Sequence, residues 1–164
     1  MMAIAMTDGH VGTEEIFAVA KDFRGLPHRC EHIFSRDNVD YIDSSIDSTP
    51  ARTSETLSSL GREVVIILGG RGKGLDFSEL IPSLKKYAKH TIIVGENAEE
   101  IYRAICGEVR AQIMPDFESA VKRGNVLAKD VGTLLLSPAS TSFDLFKNYA
   151  ERGDKFKEIL LKMQ

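Results

Sequence analysis

From Glu63 onward the chain alternates short apolar runs with longer amphipathic stretches. "VVIIL" (64–68), "TIIV" (91–94) and "TLLL" (133–136) are continuous rather than alternating. That is the pattern of strands covered on both faces. Between and after them, "FSELIPSLKKYA" (77–88), "NAEEIYRAIC" (97–106) and "DFESAVKRGNVLA" (116–128) have helical spacing, with Pro82 a local irregularity. "AQIMP" (111–115) reads as a weaker strand, and "FDLFKNYAERGDKFKEILLKM" (143–163) as one or two helices beginning at Phe143. Upstream, "GTEEIFAVAKDF" (12–23) suits a helix capped by Thr13. "CEHIFSRDNVDYIDSS" (30–45) suits two strands joined by a turn at Asp37-Asn38. Pro50 fits the first position of a helix running to Gly61, after Ser48 or Thr49 as cap. Strands alternating with helices define an α/β, Rossmann-like fold: a mostly parallel sheet flanked by helices, with an N-terminal antiparallel hairpin.

A length of 164 residues with 43% hydrophobic content suits one domain with a full core. The net charge of -3 implies no general attraction to nucleic acid or anionic membrane. No apolar run approaches the roughly 18 residues needed to span a bilayer, so membrane insertion is not expected either. Cys30 and Cys106 belong to no CxxC pair and lie at no metal-ligand spacing from a histidine. Two reduced thiols in a cytoplasmic protein are expected, and no metal site. The opening "MMAIAMTDGHVG" lacks the basic start of a signal peptide. Its "MAIAM" reads as the tail of a longer helix, or as a short helix or scar.

In such sheets ligands collect beyond the carboxyl ends of the strands. Three segments fall there. "GGRGKG" (69–74) is not a Walker loop, because Lys73 is followed by Gly74 rather than Ser or Thr. It lacks the dinucleotide spacing too. What remains is a flexible loop offering one ammonium, either to an anion or to solvent. "DSSIDSTPART" (43–53) holds more hydroxyls and carboxylates than one helix cap uses. In "LLSPASTSFDLFKNY" (135–149) the hydroxyls are caps or ligand contacts. In "GLPHR" (25–29), Arg29 can grip an anion in a fork or pair with Asp43. His28 reads as a hydrogen-bonded loop residue. No catalytic arrangement stands out, so the residues alone define a rim that binds a small anion.

Taken together, "FRGLPHRCE", "DSSIDSTPART", "LGGRGKGLDF" and "LLSPASTSFDLFKNYAERGDKF" resemble the C-terminal domain of the Mur ligases, most closely the D-glutamate-adding branch. The resemblance runs from about residue 22 to the end. It implies an ATP-dependent amide ligase of peptidoglycan synthesis, in which ATP, with Mg2+, activates the carboxylate of UDP-N-acetylmuramoyl-L-alanine and the amine of D-glutamate attacks. It also implies that N-terminal and central domains are missing, with residues 1–22 a remnant of the helical connection and 23–164 the domain. This part alone is then expected to bind no cofactor tightly and to lack ligase activity. By position, Lys73, Ser142, the Phe143 N–H, Tyr149 and either Ser48 or Thr49 match D-glutamate contacts. Arg29 and Asp43 match nucleotide contacts. Many members carry a lysine two residues after the equivalent of Asp43, where this chain has Ser45, and the loop here is one residue longer. A stand-alone small-anion module, or the same domain of a folate or cyanophycin ligase, are the alternative readings.

Overall fold

The computed structural model describes residues 12–22, 25–72 and 74–163. Six strands form one sheet in the order β1-β2-β6-β3-β4-β5. β1 (Glu31–Arg36) and β2 (Val39–Asp43) are the expected antiparallel hairpin. Asp37 and Asn38 both have positive φ (52° and 61°) at its tip, as a two-residue hairpin turn requires. β3 (Val64–Leu68), β4 (Ala88–Ile93), β5 (Ala111–Ile113) and β6 (Thr133–Leu136) run parallel, and β6 also pairs in parallel with β2.

The continuous apolar runs are explained by the two cores they separate. Val65, Ile67, Leu134 and Leu136 point to one face, where α5 (Phe117–Ala128) and α6 (Tyr149–Lys162) supply Val121, Phe156 and Leu160. Val64, Ile66, Leu68 and Leu135 point to the other. There they meet Leu57 of α2 (Pro50–Leu60), Leu84 of α3 (Ile81–Tyr87) and Ile101 of α4 (Ala98–Ile105). Both faces are therefore dry, and alternation with polar residues would cost burial on one of them.

Local chemistry sets the boundaries. α2 starts at Pro50 and ends at Gly61, whose φ of 61° is the left-handed cap. Thr49 occupies the N-cap position but donates and accepts no side-chain capping bond. Phe77–Leu80 forms a 3-10 turn that passes into α3 at Ile81, next to Pro82. The expected helix from Phe143 is corrected: α6 begins only at Tyr149. Asn148 is the reason. Its Oδ1 accepts the Glu151 N–H (2.8 Å) while Glu151 Oε2 accepts the Lys147 N–H (2.6 Å), a reciprocal cap. Residues 142–148 instead form turns, with the Ser142 carbonyl accepting from Leu145 (3.2 Å) and Phe146 (2.9 Å). α1 (Thr13–Asp22) is helical as expected, while "MAIAM" lies outside the described residues. Among the described residues no helix is long and apolar enough to cross a membrane.

Gly153 lets α6 settle on the hairpin. A Cβ there would collide with His28 Nδ1 and Asp43 Oδ2 and sit 2.7 Å from Ser45 Oγ. Helix propensity alone favours alanine over glycine by about 1 kcal/mol. The collision reverses that sign, and Gly153→Ala is expected to destabilise the fold by about 1–3 kcal/mol. Urea unfolding of the variant measures this, and a stabilised variant would contradict the packing.

Candidate functional site

At the carboxyl ends of the strands, the loop after β2 leads to α2 on one face of the sheet. The neighbouring loop after β6 leads to α6 on the opposite face. Adjacent strands whose connections diverge leave a crevice, the usual ligand position in open α/β sheets. A cavity of about 510 Å³ opens there, lined by Ser48, Thr141, Ser142, Phe143, Tyr149, Arg29, Arg52 and Arg152, with Ile46 and Asn148. Among the described residues, three arginines and no acidic residue line it. Ser142 is buried, whereas Phe143 and Tyr149 remain 58% and 43% exposed.

The loops are held by a polar framework beneath. Asp47 is buried, and its Oδ2 accepts from Ser137 Oγ (2.7 Å) and Thr56 Oγ1 (2.8 Å). Ser137 also reaches Thr53 Oγ1 (3.0 Å) and receives a bond on its carbonyl from the same hydroxyl (3.2 Å). Several hydroxyls of the two rich loops are thus interior ties between β6 and α2. Satisfied in this way, they hold the rim loops in register at little cost.

Arg152, on α6, joins the rim from below. It is almost fully buried, and its Nη2 donates to the carbonyls of Ser45 (2.8 Å) and Ser140 (3.0 Å). Nε and Nη1 have no hydrogen-bond partner among the described residues. Burial pushes its pKa down to about 10, opposed by the carboxylates of Asp144, Asp43 and Asp47. It keeps its charge at neutral pH. Sequence reasoning passed over Arg152, although it lies three residues after Tyr149 and so shares its helix face. Arg52, in the first turn of α2, was missed as well.

A second set of ties joins the loops after β3, β4 and β6. Asn97 Oδ1 accepts the Gly70 N–H (2.9 Å), and its Nδ2 donates to Ser140 Oγ (2.9 Å). The Arg71 N–H donates to the Thr141 carbonyl (2.9 Å). Gly70 has φ 153°, and a Cβ on it would collide with the Thr141 carbonyl oxygen. A side chain at this position would push the two loops apart.

Of the residues expected at the site, Arg29, Ser48, Ser142, Phe143 and Tyr149 converge on the cavity. Thr49 does not line it. Lys73 lies outside the described residues. Asp43 is placed below the cavity and fully buried. Its Oδ1 accepts the Ser45 N–H (2.8 Å), and its Oδ2 lies 2.8 Å from His28 Nδ1 and 3.8 Å from Lys157 Nζ. Arg29 therefore does not pair with Asp43; His28 does, as a hydrogen-bonded residue. Among the described residues, His28, Glu31 and Asp43 bring ligand atoms close enough for a metal ion. The Lys157 ammonium, 2.9 Å from Glu31 Oε2, supplies a positive charge at that spot.

A mostly parallel sheet flanked by helices, with guanidinium groups and hydroxyls lining a cavity at its carboxyl edge, defines an α/β domain with a candidate ligand site there. The glutamate ligase domain of Mur ligases matches residues 28–140, and the chain belongs to that family. It is 37% identical to the UDP-N-acetylmuramoylalanine–D-glutamate ligase of Hahella chejuensis, over 96% of this chain and 36% of that protein. It is 35% identical to the ligase of the same description from Chlamydia caviae, over 99% of this chain and 39% of that one. The chain thus spans under two fifths of the length of these relatives. Among solved structures, Mycobacterium tuberculosis folylpolyglutamate synthase complexed with ADP shares the fold, with a TM-score of 0.67 at 15% identity over 95% of this chain and 37% of that one.

Two expectations follow from this framework. Replacing Arg152 by alanine strands two carbonyls and leaves a cavity, which is expected to cost about 2–4 kcal/mol. Amide resonances should shift at both Ser45–Ile46 and Thr141–Ser142; a change confined to one loop would contradict the bridge. At Glu31, burial acts against the charge, but the His28 N–H and the Lys157 ammonium outweigh it and hold the pKa below the ordinary 4.5. A depressed folded pKa contributes stability above pH 4.5 that is lost as pH falls through the folded value. Glu31→Gln should therefore flatten the acid side of the stability profile, read as urea midpoints between about pH 6 and pH 3. An unchanged slope would remove Glu31 from the acid response.

Proposed function

We propose that this chain is the amino-acid-presenting part of an ATP-dependent amide ligase of peptidoglycan synthesis, with D-glutamate as the incoming amine. The observation that supports it most is the cavity at the β2/β6 crevice, which gathers three guanidinium groups, no carboxylate and the hydroxyls of Ser48 and Ser142. A dicarboxylate substrate needs that combination of cations and short hydrogen-bond donors on a rigid edge. In this reading Ser142, the Phe143 N–H and Ser48 hold carboxylate oxygens, and Lys73 neutralises one carboxylate. Tyr149 packs against the carbon chain. Ser48 is preferred to Thr49 because it alone of the two faces the cavity. Arg152 holds a fixed positive charge beneath the cradle, and Arg29 meets the nucleotide phosphates at the cavity mouth. Asp43 fixes the His28 loop that carries Arg29.

ATP would supply an acyl phosphate on UDP-N-acetylmuramoyl-L-alanine. The cavity lining fits anionic groups, and among the described residues it offers a magnesium ion no carboxylate, so no magnesium is assigned to it. What this chain contributes is orientation. Holding both carboxylates of D-glutamate leaves its amine free and aimed, and fixing that geometry raises the rate without chemistry of its own. The choice of D-glutamate rests on the relatives, which are D-glutamate ligases. The solved neighbours, at 13–19% identity, share only the fold.

In the complete ligase, Lys73→Ala and Ser142→Ala are each expected to raise the KM for D-glutamate at least about tenfold, the loss of one charge-assisted contact. The KM for ATP should change far less. Steady-state kinetics with each substrate varied in turn decide it: an unchanged KM for D-glutamate removes the residue from the site.

A further inference from the structure

A second concavity, larger than the hydroxyl-lined cavity, lies beside it. It lies beyond the carboxyl ends of β4 and β5, on the other side of the 142–146 turn, and measures about 730 Å³. Its floor is apolar, made by Val94, Met114, Phe117, Phe146 and Ile159. Its lips are apolar as well, with Leu145 55% and Ile113 37% exposed. Five carboxylates surround this floor, those of Glu96, Glu99, Asp116, Glu118 and Asp144, with the Lys155 ammonium among them; Arg71 pairs with Glu96 (3.1 Å) and Lys122 with Glu118 (2.6 Å), and the rim stays net acidic. Asp116 and Glu118 complement the N-terminus of α5, and Glu99 that of α4. Asp144 begins no helix. Its Oδ2 accepts the Glu96 N–H (3.1 Å), which fixes it in the groove wall.

That charge selects among occupants. A second copy of this chain would bring two acidic rims together. Anionic lipid and nucleic acid are repelled for the same reason. A small amine would be covered on one side only, because the lips stand open, whereas small-ligand sites bury most of their ligand's surface. A protein segment brings its own cover for the other side. We propose that this groove docks a basic amphipathic helix of a partner protein, its apolar side chains on the Met114–Phe146 floor and its lysines or arginines against the carboxylate rim. A volume of about 730 Å³ accommodates the apolar face of roughly two helical turns, the i, i+3, i+4, i+7 anchors of helix-in-groove recognition. The groove shares a wall with the hydroxyl-lined cavity, since Leu145 and Phe146 donate to the Ser142 carbonyl. A docked helix therefore touches the turn that carries Ser142.

The test titrates the isotope-labelled 164-residue chain with an amidated peptide of about 14 residues, leucines at those four anchor spacings and lysines between them. A control peptide carries glutamate in place of each lysine. Saturable shifts are expected at the Ile113, Met114 and Leu145 methyls, with affinity at least about tenfold weaker for the glutamate peptide. Raising salt from about 0.05 to 0.5 M should weaken the lysine peptide several-fold. The double variant Glu99→Lys, Glu118→Lys changes exposed side chains only and should lower its affinity about tenfold; Leu145→Ser should lower it too. Equal binding of the two peptides, shifts outside the groove, or unchanged binding by the charge-reversed variant each overturn the proposal. So does n-octylammonium binding as tightly as the peptide.

Discussion

The rim of this domain depends on one buried cation. Arg152 reaches up from α6 and donates from a single nitrogen to carbonyls in two loops that follow different strands. Without that bridge, the loops after β2 and β6 would still be tied by the Asp47–Ser137–Thr53 bonds and by the Ser44 N–H on the Leu136 carbonyl (2.8 Å). Desolvation disfavours the charge, as its depressed pKa of about 10 records. Three surrounding carboxylates keep the cation in place.

The strands were legible in the sequence because both faces of the sheet are dry. Val64 to Leu68 alternate between two cores, and no polar residue interrupts the run. The hairpin tip and the end of α2 were legible for a different reason, since Asp37-Asn38 and Gly61 occupy positive-φ positions that few other residues tolerate. The start of α6 was not. Phe143 to Phe146 have helical spacing and even make a helix-like turn, but the Asn148 side chain caps the Glu151 N–H and the Glu151 carboxylate holds the Lys147 N–H. Local capping outweighed apolar periodicity.

Site residues followed a similar division. Arg29, Ser48, Ser142 and Tyr149 lie on loops or helix ends at the carboxyl edge, and topology brought them together. Asp43 shares that edge, yet as the last residue of β2 it points into the interior and pairs with His28. Strand alternation is hard to read at a terminal residue, where one position decides between rim and core. Arg152 was hidden by the opposite error. An arginine on an amphipathic helix reads as solvent-facing, and only the three-dimensional convergence of Ser45 and Ser140 shows why it is inside.

The divergence of connections at the β2/β6 crevice has a mechanical corollary. One wall of the cavity is continuous with α2, packed on one core, and the other with α6, packed on the second. A ligand seated there touches walls that belong to both layers of the sandwich. Its contacts are therefore shared between α2 and α6, so an occupant bridges helices that pack on opposite faces of the sheet.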